Sequence, residues 1–281
     1  MSTQIEQLRA WLEGRRVFVL TGAGVSTESG IPDYRGPETR HRVRRPVQHR
    51  DFVSDAKARA RYWARSVLGW PRFRAFEPNG AHRALAALQA RGVVRGLLTQ
   101  NVDRLHTKAG SPEVLELHGS LYWVRCLACG AREHRDAFQE RLAALNPGAS
   151  QWAYALAPDG DADIPAEALD GFRVAPCARC GGVLKPDVVF FGDNVPPPRV
   201  AEAFALLEGC DALWVIGSSL HVYSGYRFVL AAQARALPIA ILNLGSTRGD
   251  EHAQLRIDAR AGEVLPQVAQ LTESPAATPQ P

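Results

Sequence analysis

Apolar residues in this chain fall in short runs that stop abruptly at small or amide residues. Arg16-Val-Phe-Val-Leu20 leads into Thr21-Gly-Ala-Gly24, and Gly96-Leu-Leu-Thr99 leads into Gln100-Asn101. Ala212-Leu-Trp-Val-Ile216 leads into Gly217-Ser-Ser219, and Pro238-Ile-Ala-Ile-Leu242 into Asn243-Leu-Gly245. Runs of this length bounded by turn residues predict buried strands. Helical spacing lies between them, at His82 to Arg91 and Arg227 to Ala236, and Met1 to Arg16 has the pattern of a short amphipathic helix. Strands alternating with helices predict an α/β fold with a mostly parallel sheet. Ligands of such sheets bind beyond the C-terminal strand ends, so four ends carrying small or amide residues point to one shared cleft.

Two segments break the alternation. Residues 119–186 show little strand signal and carry most of the cysteines, as expected of a small inserted domain. Residues 37–80 are rich in Arg, Trp and Pro and read as a helical insertion or lid. The main sheet is then expected from 1–36, 81–118 and 187–271. Residues 272–281, with three prolines and few large apolar groups, read as a disordered tail. No internal repeat is visible.

The 281 residues, 46% of them hydrophobic, suffice for a buried core. With 33 Lys and Arg against 29 Asp and Glu, the net charge of +4 gives no argument for a nucleic-acid partner. The basic residues cluster between Arg35 and Arg50, either as a solvated loop or close to phosphates or an acidic ligand. The N-terminal stretch lacks the features of a signal peptide, and no run approaches the ~20 apolar residues of a membrane span. A soluble protein without a membrane partner is expected, in the cytoplasm.

Four of the five cysteines form two C-x-x-C pairs, Cys126 with Cys129 and Cys177 with Cys180. Without an export signal this favours metal over disulfides. Four thiolates suit tetrahedral Zn²⁺ and close its coordination shell, which makes the site structural. The competing reading is two unrelated buried or redox pairs. Cys210 reads as a small buried hydrophobe.

Gly22 and Gly24 after the first strand would let a pyrophosphate approach the backbone, although the spacing departs from G-x-G-x-x-G and also fits a structural turn. His118 precedes the inserted segment. It is either an ordinary polar residue or, if a cleft forms there, the natural general base.

Taken jointly, these pieces resemble the sirtuins from about Val17 to about Pro266. The matching motifs are Gly22-Ala-Gly-Val-Ser-Thr-Glu-Ser-Gly-Ile-Pro-Asp-Tyr-Arg-Gly36, Thr99-Gln-Asn-Val-Asp103, Leu105-His106, His118-Gly119, the two C-x-x-C pairs, Lys185-Pro-Asp-Val-Val-Phe-Phe-Gly192, Gly217-Ser-Ser219 and Asn243. The resemblance implies a large Rossmann-like domain, a smaller zinc-binding domain inserted in it, and NAD and an acyl-lysine protein or peptide meeting between them. It implies an NAD-dependent lysine deacylase that transfers the acyl group to ADP-ribose and releases nicotinamide. Gly22, Ala23, Gly24 and Ser26 would line the NAD phosphates. Ile31 and Asp103, with Val102 between the motifs, would hold the nicotinamide end. Asp33, Tyr34 and Arg35 would belong to the cofactor loop, and Gln100 and Asn101 would face the ribose. Gly217, Ser218, Ser219, Asn243, Leu244, Gly245 and the backbone at Ala261 would hold the adenosine half. His118 would be the base, with Asn101 as the second catalytic residue. Val189, Phe190 and Gly192 would pair with the substrate backbone as an added strand.

Tyr62-Trp-Ala-Arg65 looks like the Tyr-x-x-Arg pair with which some sirtuins bind acidic acyl groups, and an arginine fork and a phenol suit a carboxylate. It also reads as a helix with an aromatic packed inward. Gln48 to Trp70, Leu156 to Asp161 and His221 to Tyr226 look most like class II sirtuins, which implies long, branched or acidic acyl groups in preference to acetyl. Phe191-Gly-Asp193 stands where many sirtuins read Phe-Gly-Glu. The same site would also serve mono-ADP-ribosyl transfer, and a non-catalytic NAD- or ADP-ribose-binding zinc module is a third reading.

Overall fold

The computed structural model describes residues 2–33, 47–149, 155–156, 162–163 and 171–271. Along the chain these form α1 (Ser2–Leu12), β1 (Val17–Thr21), α2 (His49–Ser54), α3 (Ala56–Arg74), α4 (Gly80–Ala90), β2 (Val94–Thr99), α5 (Leu105–Lys108) and β3 (Leu115–Glu116). Then come β4 (Gly119–Cys126), β5 (Arg132–His134), α6 (Arg135–Leu145), β6 (Ala155–Leu156), β7 (Ala162–Asp163) and β8 (Leu184–Val188). The chain closes with α7 (Pro197–Glu208), β9 (Ala212–Ile216), α8 (Tyr223–Ala234), β10 (Ile239–Leu242), β11 (Leu255–Ile257) and α9 (Ala261–Leu271). Tyr34, Arg35, most of the basic run, most of 150–170 and the tail at 272–281 lie outside the described residues.

The larger sheet has the order β11-β10-β9-β1-β2-β3, and every pair in it is parallel. The predicted apolar runs are its four central strands. β1 is buried along its whole length because both sheet faces are covered. Val17 and Val19 face one core, closed by Ile5, Leu8 and Leu12 of α1, Leu85 of α4 and Val264 of α9. Phe18 and Leu20 face the other, with Leu207 of α7 and Phe228 of α8. From β1 the chain steps to β2 and β3 on one side, and only later to β9, β10 and β11 on the other. The order therefore reverses between β1 and β9, and a crevice opens beyond Thr21 and Ile216.

The inserted middle builds a second, antiparallel sheet of order β5-β4-β8. Its main strand, β4, shows no alternation. Ser120, Val124 and Cys126 are buried while three successive residues, Leu121 to Trp123, are all half-buried, so the sequence carries little period-two signal. The helices of the other inserted segment pack onto this unit. Phe52, Tyr62, Trp63 and Val67 share a core with Val124, Phe138, Leu142, Cys177 and Leu184. The Arg135 guanidinium is buried in this layer, bonded to the Ser66 carbonyl at 3.2 Å and lying over the rings of Trp63 and Trp70. Among the described residues no helix is long and apolar enough to cross a membrane.

Candidate active site and metal centre

Four strand ends and the two inserted units enclose a cavity of about 450 Å³. Gly22, Ala23, Gly24 and Ser26 follow β1, Gln100 to Asp103 follow β2, and Gly217 to Ser219 follow β9; all line it, and so do Asn243, Leu244 and Gly245 after β10. His118, Ile31, Asp33, Tyr62, Val189 and Phe190 complete the sequence-expected part of the wall. Ala261 does not line the cavity. It begins α9 with its side chain buried in the first core. Gly192 and Arg65 are also outside the lining, and Tyr34 and Arg35 are outside the described residues.

The glycines after β1 are needed for loop packing. A Cβ on Gly24 would sit 2.9 Å from Cα of Gly217, and one on Gly22 would sit 2.7 Å from Cβ of Ser218. The Gly24 amide donates to the Gly217 carbonyl at 2.8 Å, and Gly217 itself has φ +61°. The two loops at the strand reversal are thus pressed together with no room for side chains, leaving backbone and small polar groups facing the ligand.

Behind this wall lies a buried polar network. Ser26 Oγ donates to Asp103 Oδ2 at 2.7 Å and accepts from Asn101 Nδ2 at 3.1 Å. Its remaining lone pair faces His82 Nε2 at 3.4 Å. His82 is the third residue of α4, where its Nδ1 meets the Asn79 amide at 3.3 Å in a capping box and the Asn79 Oδ1 at 3.0 Å. Asp103 also accepts from the Leu105 amide at 2.9 Å, and burial raises its pKa. Burial pushes His82 down to about 4 and His106 well below the usual value. His106 Nε2 meets Thr21 Oγ1 at 3.0 Å, under the same loop. Both imidazoles are therefore neutral scaffolding near neutral pH.

His118 sits between β3 and β4, at the seam of the two units. Its Nδ1 is 2.9 Å from the Gln100 carbonyl, which can only accept, so Nδ1 carries the proton and Nε2 keeps its lone pair. Ser224 Oγ lies 2.7 Å from that Nε2 and donates to it. Burial, countered in part by the Gln100 carbonyl, lowers the pKa to about 4. The imidazole is a neutral proton acceptor facing a largely enclosed cavity. Ser224 carries no distinct sequence signal, although it lies within the stretch from His221 to Tyr226.

Part of the cavity wall is apolar and aromatic. Val47, Tyr62 and Phe190, which share one core, and Phe73 and Leu121, which pack in another with Ile31, all line it. Tyr62 packs its ring at 5.4 Å from both Phe52 and Phe190. Val47, Phe73 and Leu121 carry no sequence signal beyond being apolar. The backbone of Gln48 bridges to Phe191, and the His49 amide donates to the Phe191 carbonyl at 2.9 Å, so the segment before α2 is joined to the residues after β8.

The four cysteines converge as the sequence leads one to expect. Their sulfurs all lie within 4.8 Å of one another, with Cys126 and Cys180 at 3.5 Å and Cys129 and Cys177 at 3.8 Å. Tetrahedral Zn–S bonds of about 2.3 Å require S···S separations of roughly 3.8 Å, so the set fits one Zn²⁺. The two turns match each other. The Gly130 amide donates to the Cys126 carbonyl and the Gly181 amide to the Cys177 carbonyl, with φ of +69° and +73° at the glycines. None of the cysteines is in a disulfide.

A profile described as "Sir2 family" matches residues 22–224. The chain is 50% identical over 267 residues to "NAD-dependent protein lipoamidase sirtuin-4, mitochondrial" of Homo sapiens, covering 94% of this chain and 85% of that protein. It is 54% identical over 251 residues to an "NAD-dependent protein deacetylase" of Xanthomonas axonopodis pv. citri (strain 306), covering 89% and 86%. Among solved structures, one described as "Structural Basis for the Mechanism and Regulation of Sir2 Enzymes" superposes with a TM-score of 0.76 at 31% identity, over 96% of this chain and 98% of that one. Another, "Sir2-p53 peptide-NAD+", gives 0.75 at 28% identity, over 95% and 98%.

Proposed function

The chain belongs to the Sir2 family, and from that premise we propose how its cleft performs NAD-dependent deacylation of lysine side chains in proteins or peptides. The observation that carries the assignment of roles is His118, a neutral imidazole whose Nε2 is an acceptor, held by the Ser224 hydroxyl, on the wall of a cavity formed at the strand-order reversal. The residues around that cavity fit a dinucleotide. Crowded glycine loops offer backbone, Asn101 stands beside them with its Nδ2 on the Gly22 carbonyl at 3.1 Å, and Asp103 and Asn243 line the same cavity.

NAD supplies an electrophilic ribose carbon once nicotinamide departs, and it is consumed. Asn101 and Asp103, fixed by Ser26, hold the groups at the scissile end in one orientation. His118 Nε2 accepts the ribose hydroxyl proton, displacing the Ser224 hydroxyl that now occupies its lone pair. Its N–H on Gln100 keeps the ring in the accepting tautomer throughout. Val189 and Phe190, the two residues after β8, line the same cavity as His118, and the substrate backbone would add alongside them.

The acyl group we propose is long and largely apolar. Tyr62, Phe73, Leu121, Val47 and Phe190 provide a sleeve for a chain longer than acetyl, and Arg65 does not line it. The name of the human relative, a lipoamidase, agrees with such a chain. A class II placement, a cytoplasmic setting and the absence of nucleic-acid and membrane partners belong to the same proposal. The bovine and human relatives are named mitochondrial, so localisation is to be decided by fractionation. The experiment is a panel of acetyl-, succinyl-, glutaryl-, octanoyl- and lipoyl-lysine peptides with NAD, following nicotinamide release and freed lysine, with His118→Ala as control. Turnover fastest on lipoyl or octanoyl supports the reading. Nicotinamide release without freed lysine, with a labelled protein, would replace it with ADP-ribosyl transfer.

A further inference from the structure

Arg104 follows Asp103 and caps the N-terminus of α5 with φ +60° and ψ +19°. This left-handed conformation is unfavourable for any residue with a Cβ, and the chain offers no glycine there. Its neighbours are tightly held. Asp103 lines the cavity, and Leu105 is buried with its amide on Asp103 Oδ1. A non-glycine residue kept in such a conformation implies that its side chain is wanted where the strained backbone puts it.

That side chain spans the two halves of the molecule. Nε of Arg104 lies 3.7 Å from Oε1 of Glu116, at the end of β3 in the parallel sheet. Its guanidinium carbon lies 5.6 Å from the ring centre of Tyr122, in β4 of the zinc-bearing sheet. Tyr122 packs edge-on against Trp70 of α3 at 5.0 Å. Glu116 is itself anchored, paired with Thr99 beside the cavity-lining Gln100. Yet the pair is not fully made. Both atoms are buried from solvent, 3.7 Å exceeds a hydrogen bond, and among the described residues neither atom has a hydrogen-bond partner. Two buried atoms of half-buried, oppositely charged side chains thus face each other just beyond bonding distance, a gap that a small movement of the Asp103 turn would close.

We propose that Arg104 and Glu116 are a positioning pair, a latch that closes when the dinucleotide fills the nicotinamide end of the cleft and fixes the Asp103 turn against both sheets. The latch rests on the NAD-dependent reading above, but neither residue touches the cavity. Arg104 is therefore a positioning residue acting through Asp103.

The latch makes NAD affinity depend on pH. Burial pushes the Glu116 carboxyl up to about 7. Arg104, Arg199 of α7 and Arg132 of β5 pull it down, and Asp103 pushes it further up. Only ionised Glu116 completes the pair, so closing it lowers that pKa, and NAD binds more tightly as pH rises through about 7. A tenfold stronger carboxylic acid in the NAD complex corresponds to about tenfold in NAD affinity. His118 and His82, both pushed to about 4, are neutral across this window and do not contribute.

The test is calorimetric titration of the whole protein with NAD between about pH 6 and about pH 8, which needs no turnover. Wild-type affinity is expected to rise about three- to tenfold across that range. Glu116→Gln, close in shape and without the charge, should bind at the weak, low-pH level throughout and show a flat profile. Arg104→Lys should retain part of the slope, and Arg104→Gly, relieved of backbone strain, should lose the slope while melting no lower than wild type. Wild-type protein that binds NAD with no pH dependence, or Glu116→Gln with the wild-type affinity and profile, overturns the latch alone. Wild-type protein that fails to bind NAD overturns the functional reading and the latch with it.

Discussion

His118 and Gln100 are joined by a hydrogen bond of 2.9 Å from Nδ1 to a backbone carbonyl at the end of β2. This single contact with a strand terminus selects the tautomer of the proposed base and leaves Nε2 as the accepting nitrogen, now bonded to Ser224 Oγ. His118→Ala should lower deacylation by about a hundredfold or more while NAD binding falls by less. Nicotinamide release and NAD titration, run side by side, check this. Equal losses in both would make His118 a structural residue of the pocket. Because its pKa is depressed, the base is already neutral at about pH 5, so the ionisation of His118 should place no inflection in the rate between about pH 6 and about pH 8.

Three depressed histidines pull the acid response of the fold one way, against the raised carboxyls of Glu116 and Asp103. An unfolded histidine titrates near 6.5, whereas folded His82 and His118 titrate near 4 and His106 well below its usual value. As pH falls from about 6.5 toward 4 these histidines take up protons in the unfolded chain that the folded one refuses, so their contribution to stability is lost across that window and is fully present above it, while Glu116, protonated first in the folded chain, offsets part of the loss. His82 alone is worth on the order of 3 kcal/mol at the bottom of the window. The melting temperature followed from about pH 7.5 to about pH 4.5 should fall, and His82→Asn should flatten part of that fall. The same slope in wild type and His82→Asn would mean that this ring protonates as readily in the folded chain as in the unfolded one.

The packing of Gly24 against Gly217 leaves no space for a methyl group. Gly24→Ala places a Cβ 2.9 Å from backbone that cannot retreat, since Gly217 already has a positive φ. The loop after β1 must then move away from the loop after β9, and the two together form the floor of the cleft. NAD affinity is expected to fall by about tenfold or more with the melting temperature lowered by only a few degrees, the loss of roughly 1 to 2 kcal/mol that an ordinary point mutant shows. An unchanged affinity would mean that these loops do not hold the dinucleotide.

The parts of the molecule visible in the sequence share a physical cause. β1, β9 and β10 are buried on both faces, so their residues are uniformly apolar and the run itself is the signal. The cysteine pairs are equally plain, because a metal needs its ligands at fixed spacing. β4 is hidden because its burial does not alternate, with three successive half-buried residues between buried ones. The contact of α2 and α3 with the zinc-bearing sheet is hidden because long-range packing leaves no local pattern. Ligand approach is the reason for Gly22 and Gly24 that can be read from their spacing, whereas their tightest contacts are with Gly217 and Ser218. Ala261 belongs to the adenosine site by resemblance, but its side chain is part of the core beneath it. Nothing local marks Arg104, whose left-handed backbone is set by the fold.

The shared core couples the zinc site to the acyl sleeve. Cys177 is buried among Val124, Leu184, Tyr62 and Trp63, and Trp63 Nε1 donates to the Leu184 carbonyl at 3.3 Å. Removing the metal by chelation, or one ligand by Cys177→Ser, leaves thiolates close together without a cation. Zinc content should drop from one per chain to near zero, and the melting temperature should fall. Because α3 rests on the same side chains, the KM for a long acyl peptide should rise more than the KM for NAD. Equal changes in the two constants would show that the loss is global.

Tyr62 and Arg65 can be separated experimentally because the structure separates them. Tyr62 is buried, lines the cavity and packs against Phe190, while Arg65, three residues on, is not part of that wall. If the sleeve selects by apolar contact, Tyr62→Ala should weaken lipoyl- and octanoyl-lysine turnover by about tenfold, since truncating a large buried aromatic removes roughly 3 to 5 kcal/mol of packing, part of which the ligand would otherwise recover. The acetyl peptide, which does not reach the ring, should lose less. Tyr62→Phe keeps the ring and should restore the long-chain rates, which distinguishes packing from a hydrogen bond by the phenol. Arg65→Met should leave the ratio of long-chain to acetyl turnover unchanged. A selective loss of succinyl or glutaryl turnover in Arg65→Met would instead show that the guanidinium swings into the sleeve when an acidic acyl group arrives, and the apolar reading of this end of the cavity would fall.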